Sequence, residues 1–466
     1  MTLDNRRSIP VSPLRGGWTC RSPFPMFSPR RRSRRLILLI SPVLCFLLFY
    51  HFLTFPSDQR APSARDDVPD YRHEFRCPPL PGIEDMLVVL KTGVTEALDK
   101  VPVHFQTTLR CVPNYVIFSD FEEKISGVQV HDVLRGVDSE VKRTIPDFDI
   151  YNRIQEFGRE GLRPVDLRDE ANSPTGKPNN PGWKLDKWKF LPMIGEALRF
   201  RPNAKWFVFI EADTYVVWPN LVGWLAQLDP TKPDYIGTET QIADVIFAHG
   251  GSGFIISNPA MQMVAEHYSA HRDDLHYYTN AHWAGDCVLG KVLRDVGVPL
   301  RYSWPMLQNS KLGEVDTLTT NFYRKPWCFP AVAFHHMAPS DIQFMWRFEQ
   351  QRFQETNKTI LLHSDVFKEL ILPEIAAPRA DWDNLSDEEQ AEPVTSVEGC
   401  RARCANNPDC QQYSYRSGKC FMSKTPKLGV SSDGAHSGWM MDRIEEAVKR
   451  IGECREVDWG LQGHIG

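Results

Sequence analysis

The chain has 466 residues, 42% of them hydrophobic, 11% aromatic and 24% charged, which is enough apolar material for a large core and, at about 100 to 200 residues per domain, for two folded domains with appendages. A wholly disordered chain is excluded. The formal charge of −5 is unevenly spread: residues 1–35 hold nine Arg and one acid, so the rest is acidic, which argues against nonspecific nucleic-acid binding through phosphate neutralisation.

After the basic tail, residues 36–55 read LILLISPVLCFLLFYHFLTF, twenty positions without an acid, Lys or Arg. As a helix rising about 1.5 Å per residue they span about 30 Å, the thickness of a bilayer's hydrocarbon core. This predicts a signal anchor; a cleaved signal peptide is the alternative, but it has a shorter apolar region and a small-residue cleavage site, whereas this segment ends in aromatics and Pro56. Arg30, Arg31, Arg32, Arg34 and Arg35 precede it, and the positive-inside rule then predicts a single-pass type II protein with the remainder lumenal. Cysteine usage agrees. Nine of the eleven lie beyond residue 55 (Cys77, Cys111, Cys287, Cys328, Cys400, Cys404, Cys410, Cys420 and Cys454) and would mostly pair in a secretory lumen, leaving one free or bridging two chains. Two glycosylation tripeptides, at Asn357 and Asn384, point the same way.

Residues 56–81, rich in Pro, Asp and Arg, read as a stem. From residue 82 the composition becomes globular. Tyr115-Val-Ile-Phe118 predicts a strand ending in Ser119-Asp120, and Lys205-Trp-Phe-Val-Phe-Ile210 predicts another ending in Glu211-Ala-Asp213. Between them the apolar spacing over 186–200 predicts a helix interrupted by Pro192, and 165–182 predicts a polar loop over the site. Strands alternating with helices predict an α/β sheet whose ligand crevice lies beyond the strands' carboxyl ends, where Asp120 and Asp213 fall. Two acids separated by one residue there can share a divalent cation, and hard oxygen ligands suit Mn or Mg, which bind diphosphates; two solvated turn acids are the plainer reading.

Five segments occur in one order: Asn114–Asp120, Lys205–Val216, His249-Gly-Gly-Ser-Gly-Phe254, Trp283-Ala-Gly-Asp-Cys-Val-Leu-Gly290 and Ala333-Phe-His-His336. Together they resemble glycosyltransferase family 31, the β1,3-glycosyltransferases that include the fringe enzymes and the core 1 galactosyltransferase. The resemblance covers about residues 82–375 and implies a GT-A fold, a nucleotide-sugar-binding α/β sheet with helices on both faces and a bound Mn²⁺ or other divalent cation. It implies that Asp213 and His335 hold the metal, with His336 as fallback, and that Glu211 stands where the family has an Asp. It implies that Asp120 lies near the uridine, that Gly250, Gly251 and Gly253 form a turn allowing close backbone approach to the donor sugar, and that Asp286 is the general base. A helix N-cap is a compatible role for Asp286. Lys187 and Lys189 fall near a basic position of the family. Trp283 reads equally as a platform for the acceptor sugar and as a core aromatic. Cys287 and Cys328 could pair.

In the tail, Cys400-x₃-Cys404-x₅-Cys410-x₉-Cys420 with Ser437-Gly-Trp439 resembles the PAN or Apple domain, a small disulfide-stapled α+β module that binds protein or carbohydrate; four Cys allow three pairings. Residues 376–397 read as a linker and 398–466 as this module. The implied function is a metal-dependent, inverting β1,3-glycosyltransferase moving a hexose, galactose or N-acetylglucosamine, from a UDP-sugar to a glycan or glycoprotein acceptor at the Golgi membrane. The alternative is a catalytically silent relative acting as a lumenal binding protein or chaperone.

Overall fold

Apolar runs too short for helices and rich in β-branched and aromatic residues build the centre of the molecule. In the computed structural model, which describes residues 77–168 and 177–461, the strands are β1 (Met86–Lys91), β2 (Tyr115–Ser119), β3 (Glu123–Ile125), β4 (Val128–Asp132), β5 (Trp206–Glu211), β6 (Tyr215–Val216), β7 (Tyr235–Gly237), β8 (Glu239–Ile242), β9 (Val245–Ala248), β10 (Phe254–Ser257), β11 (Leu300–Tyr302) and β12 (Ala333–Phe334). Eight of them form one mixed sheet in the order β11-β7-β10-β5-β1-β2-β4-β3, with β10 and β3 antiparallel to their neighbours. The central strands are buried on both faces. Leu87, Val89, Phe207 and Phe209 pack into one layer of the core and Met86, Val88, Leu90, Trp206, Val208 and Ile210 into the other, which is why these runs are almost continuously apolar.

The expected helix begins at Phe190 and runs to Phe200, with Pro192 in its first turn, where the missing N–H leaves no intrahelical bond unmade. It covers one sheet face with the helices Asn258–Ala270 and Gly285–Asp295. Because β1, β2 and β5 run parallel, their carboxyl ends share an edge, and β12 pairs with β6 just beyond it.

A second, five-stranded sheet lies in the tail: β13 (Arg379–Asp383), β14 (Glu388–Glu389), β15 (Gln412–Arg416), β16 (Lys419–Ser423) and β17 (Val430–Trp439), ordered β13-β17-β15-β16-β14. Disulfides Cys400–Cys420 and Cys404–Cys410 select one of the three pairings and join the helix Val397–Asn406 to this sheet.

Several expectations are corrected. The stretch read as a linker, 376–397, supplies β13 and β14; its acids disguise an edge strand in which the Trp382 indole donates to the Leu428 carbonyl at 2.6 Å and Asp383 takes the Arg416 guanidinium at 2.7 Å. Cys328 pairs with Cys454, not with Cys287, which is a free, buried thiol. Cys77, placed in the stem, is bonded to Cys111. Asn384 is fully buried, its amide donating to the Tyr413 carbonyl at 3.0 Å, so folded protein offers a glycan only the exposed Asn357 of the two tripeptides. The expected anchor at 36–55 and the basic tail lie outside the described residues, and among the described residues no helix is long and apolar enough to cross a membrane. The single-pass Golgi placement is therefore withdrawn. Residues 169–176 of the expected loop also lie outside the described set.

Candidate active site

Asp213 sits two residues beyond β5, in a loop pinned from three sides. Its carbonyl accepts the Met337 N–H at 2.9 Å, Thr214 Oγ1 donates to the Gly251 carbonyl at 2.8 Å, and the buried His104 ring meets the Ala212 carbonyl at 2.8 Å. This holds the carboxylate against the segment after β12: Asp213 Oδ1 is 3.3 Å from His335 Nε2, and ligand atoms of Asp213, His335 and His336 all lie within 4.8 Å of one another. The His335 Nδ1 contacts Asn309 Oδ1 at 3.1 Å, the kind of outer partner that fixes the ring of a metal-binding histidine. Burial would raise the Asp213 carboxyl, but the His335 hydrogen bond and charge, with Lys100, outweigh it and hold the group well below the usual carboxylate range. Burial and the neighbouring His335 push His336 down to about 4, keeping it neutral, as ligation requires. One anionic and two imidazole donors fit a divalent first-row cation. The Lys100 ammonium, 3.0 Å from Asp213 Oδ2, marks the same spot as one that takes positive charge.

Glu211 is not part of this group. Its longer side chain turns to Lys91 at the end of the adjacent strand, Oε1 to Nζ 3.0 Å, and the same ammonium meets Asp186 Oδ2 at 2.5 Å. Asp186 also reaches Lys189 at 3.2 Å, and Lys189 reaches Asp120 at 3.0 Å; Lys189 and Asp120 are each 1% exposed. Asp120 further accepts the Val94 N–H at 2.7 Å. Burial would lower both lysines, but the facing carboxylates raise them above the lysine range, so Asp120, Asp186, Lys189, Lys91 and Glu211 form one charged chain along the ends of β2, β1 and β5.

Asp286 occupies the second position of the helix Gly285–Asp295, not its cap, which is Ala284. Its Oδ2 accepts the Gly250 N–H at 2.9 Å and its Oδ1 the Cys287 N–H at 2.9 Å. Burial nevertheless pushes it up to about 6, against those two hydrogen bonds. The glycine turn joins the two groups: Gly250 touches Asp286, while a Cβ on Gly251 would lie 2.0 Å from the His335 ring. Gly253 has φ 79°, where a side chain crowds the backbone. Trp283 is no core aromatic. It is 38% exposed and stacks on Trp183, centroids 5.9 Å apart, beside a cleft of about 350 Å³ lined also by Asp147, Lys184, Lys187 and Asn280.

With these residues in place, comparison with protein families is decisive. A family model described as Fringe-like matches residues 189–351, and a PAN domain model matches residues 379–433. The chain carries a Fringe-like glycosyltransferase domain and a PAN domain. The Fringe-like match contains Glu211, Asp213, the three turn glycines, Trp283, Asp286 and His335, while Asp120 and Lys91 precede it. Lys91, Lys100, Asp186 and Asn309 escaped sequence reasoning. Of these only Lys91 left a trace, a lone charge ending the buried run Met-Leu-Val-Val-Leu-Lys.

Proposed function

We propose that the protein is a metal-dependent, inverting β1,3-glycosyltransferase that moves a hexose from a UDP-sugar to a glycan or glycoprotein acceptor. The observation that carries this reading is the adjacency of two chemically different groups: the Asp213–His335–His336 set and the Asp286 carboxyl, bridged by the Gly250–Gly251 dipeptide. In this reading Asp286, as carboxylate, takes the proton of the acceptor hydroxyl as that oxygen bonds to the sugar's anomeric carbon and the bond to the UDP oxygen breaks on the opposite face. Sugar hydroxyls are weak acids, and a positioned base contributes on the order of 10² to 10⁴ in rate. Asp213, His335 and His336 would hold the cation, Mn²⁺ in the first instance, which when bound offsets charge on the departing diphosphate. Asp120 and Lys189 are assigned to the nucleoside side, and Trp283 to the acceptor.

One observation favours a second reading. Glu211 is committed to Lys91, away from the metal set, and a PAN domain is attached, so a silent binding protein is the competitor. UDP release from a panel of UDP-sugars, with Mn²⁺ and with chelator, separates the two. One donor is expected to give metal-dependent release that is lost in Asp213→Ala. Silence on every donor, with no UDP binding in the presence of Mn²⁺, makes the protein a binder.

A further inference from the structure

The turn at Asn321–Arg324 is built from residues its shape disfavours. Asn321 N–H donates to the Arg324 carbonyl at 2.9 Å and Arg324 N–H to the Asn321 carbonyl at 2.8 Å, closing a two-residue hairpin loop. Both loop residues have positive φ, 48° at Phe322 and 63° at Tyr323. Loops of this shape favour Asn and Gly, because a Cβ crowds the left-handed backbone by about 1 kcal/mol or more per residue. Burial does not compensate: Phe322 is 70% exposed and Tyr323 96%. Phe322 sets an edge against the half-buried Trp304 ring at 5.6 Å, and the Arg324 guanidinium grips the Trp304 carbonyl. Two aromatics are thus held into solvent on a braced arm.

The arm rises from the crevice edge. Trp304 lies two residues past β11, which is parallel to β7, and β7 and β5 are both antiparallel to β10; β11 and β5 therefore end on the same side. Three strand spacings separate them, about 14 Å, on the side away from Asp120 and Lys189. Asn309, five residues after Trp304, touches His335.

We propose that Trp304, Phe322 and Tyr323 form a carbohydrate subsite for the part of an oligosaccharide acceptor beyond the sugar being extended. This rests on the glycosyltransferase reading above. Pyranose rings present C–H-lined faces that stack on the electron-rich faces of aromatic rings, and the three strand spacings between the ends of β11 and β5, about 14 Å, suit a chain longer than one sugar.

The test is the double variant Phe322→Asn with Tyr323→Gly, which removes both rings and gives the loop residues it favours. Binding of neutral tri- and tetrasaccharides ending in galactose, N-acetylglucosamine or mannose is measured by saturation-transfer NMR on the full-length protein, beside thermal melting and sedimentation. At least one probe is expected to bind the wild type, with affinity tenfold or more weaker in the variant and Tm unchanged or raised. Affinity within twofold overturns the proposal, as does a Tm several degrees lower, which would make the rings part of the folding core. Loss of self-association with sugar binding intact overturns it in favour of a second copy of the chain. A wild type that binds UDP with Mn²⁺ but no probe also overturns it and leaves the transferase reading standing; if UDP binding is absent too, that reading falls first.

Discussion

Asp286 is held by opposing forces: two backbone N–H groups favour its charge, and burial disfavours it more. The folded-state value of about 6 lies above the ordinary carboxylate value of 3.8, so the proton binds more tightly to the folded protein and ionisation between about pH 4 and 6 lowers stability. The carboxylate that the proposed mechanism needs as base is therefore the less stable form. Two outcomes are expected. Turnover should rise with pH through an apparent pKa near 6, and Asp286→Asn should lose on the order of 10² to 10⁴ in kcat while keeping UDP affinity. Wild-type stability should also carry a component that falls as pH rises from about 4 to 6, and Asp286→Asn, which cannot ionise, should lack it. Steady-state kinetics and calorimetry across pH check these outcomes, and an identical pH dependence of stability in the two proteins would contradict the account. Asp213, Asp286 and His335 were legible because each sits in a short ordered pattern. Lys91, Asp186 and Lys100 were not, since a charge that meets its partner only after β1, β5 and a helix come together leaves no local spacing to read.

The turn Gly250–Gly253 seats the His335 ring. Sequence reasoning assigned its glycines to the donor sugar, whereas the nearest atoms to a Cβ on Gly251 belong to the His335 ring. Gly251→Ala is expected to push that ring off Asp213 and weaken Mn²⁺ binding at least tenfold by calorimetry, with a smaller effect at Gly250, where the closest atoms are 3.1 Å away on the Phe190 ring. Equal Mn²⁺ affinity in Gly251→Ala would remove His335 from the metal set. Strands β2 and β5 and the helix Phe190–Phe200 were legible because runs buried on both faces, or periodic on one, write their burial into the sequence. β13 was not, because a half-exposed edge strand carries the acids of a linker.

The tail is bolted to the Fringe-like body. Cys328–Cys454 closes a separation of 126 residues. Trp327, Phe367 and Ile375 of the body share a core with Trp439 and Ile444, and Trp459 packs against Gly223 and the core layer that holds Met86, Val88 and Trp206. Closing a loop of that length removes enough unfolded-state freedom to stabilise by about 3–5 kcal/mol. The double variant Cys328→Ser with Cys454→Ser is expected to lower the urea midpoint accordingly relative to the wild type, with the Fringe-like and PAN parts melting together in the wild type. Two separate transitions in the wild type would refute the coupling. Sequence could count the cysteines but not join residues 328 and 454, because pairing depends on where a returning chain lands.

Trp459 also sets a schedule for synthesis. The core layer that holds Met86, Val88 and Trp206 lacks one of its aromatic neighbours until Trp459 is made, and Cys328 lacks its partner until 126 residues after it have been added. Domains generally complete themselves as they emerge. Here the Fringe-like body is expected to wait for the PAN domain, so a message broken after residue 375 should yield an unfinished body with an open thiol and not a working short form.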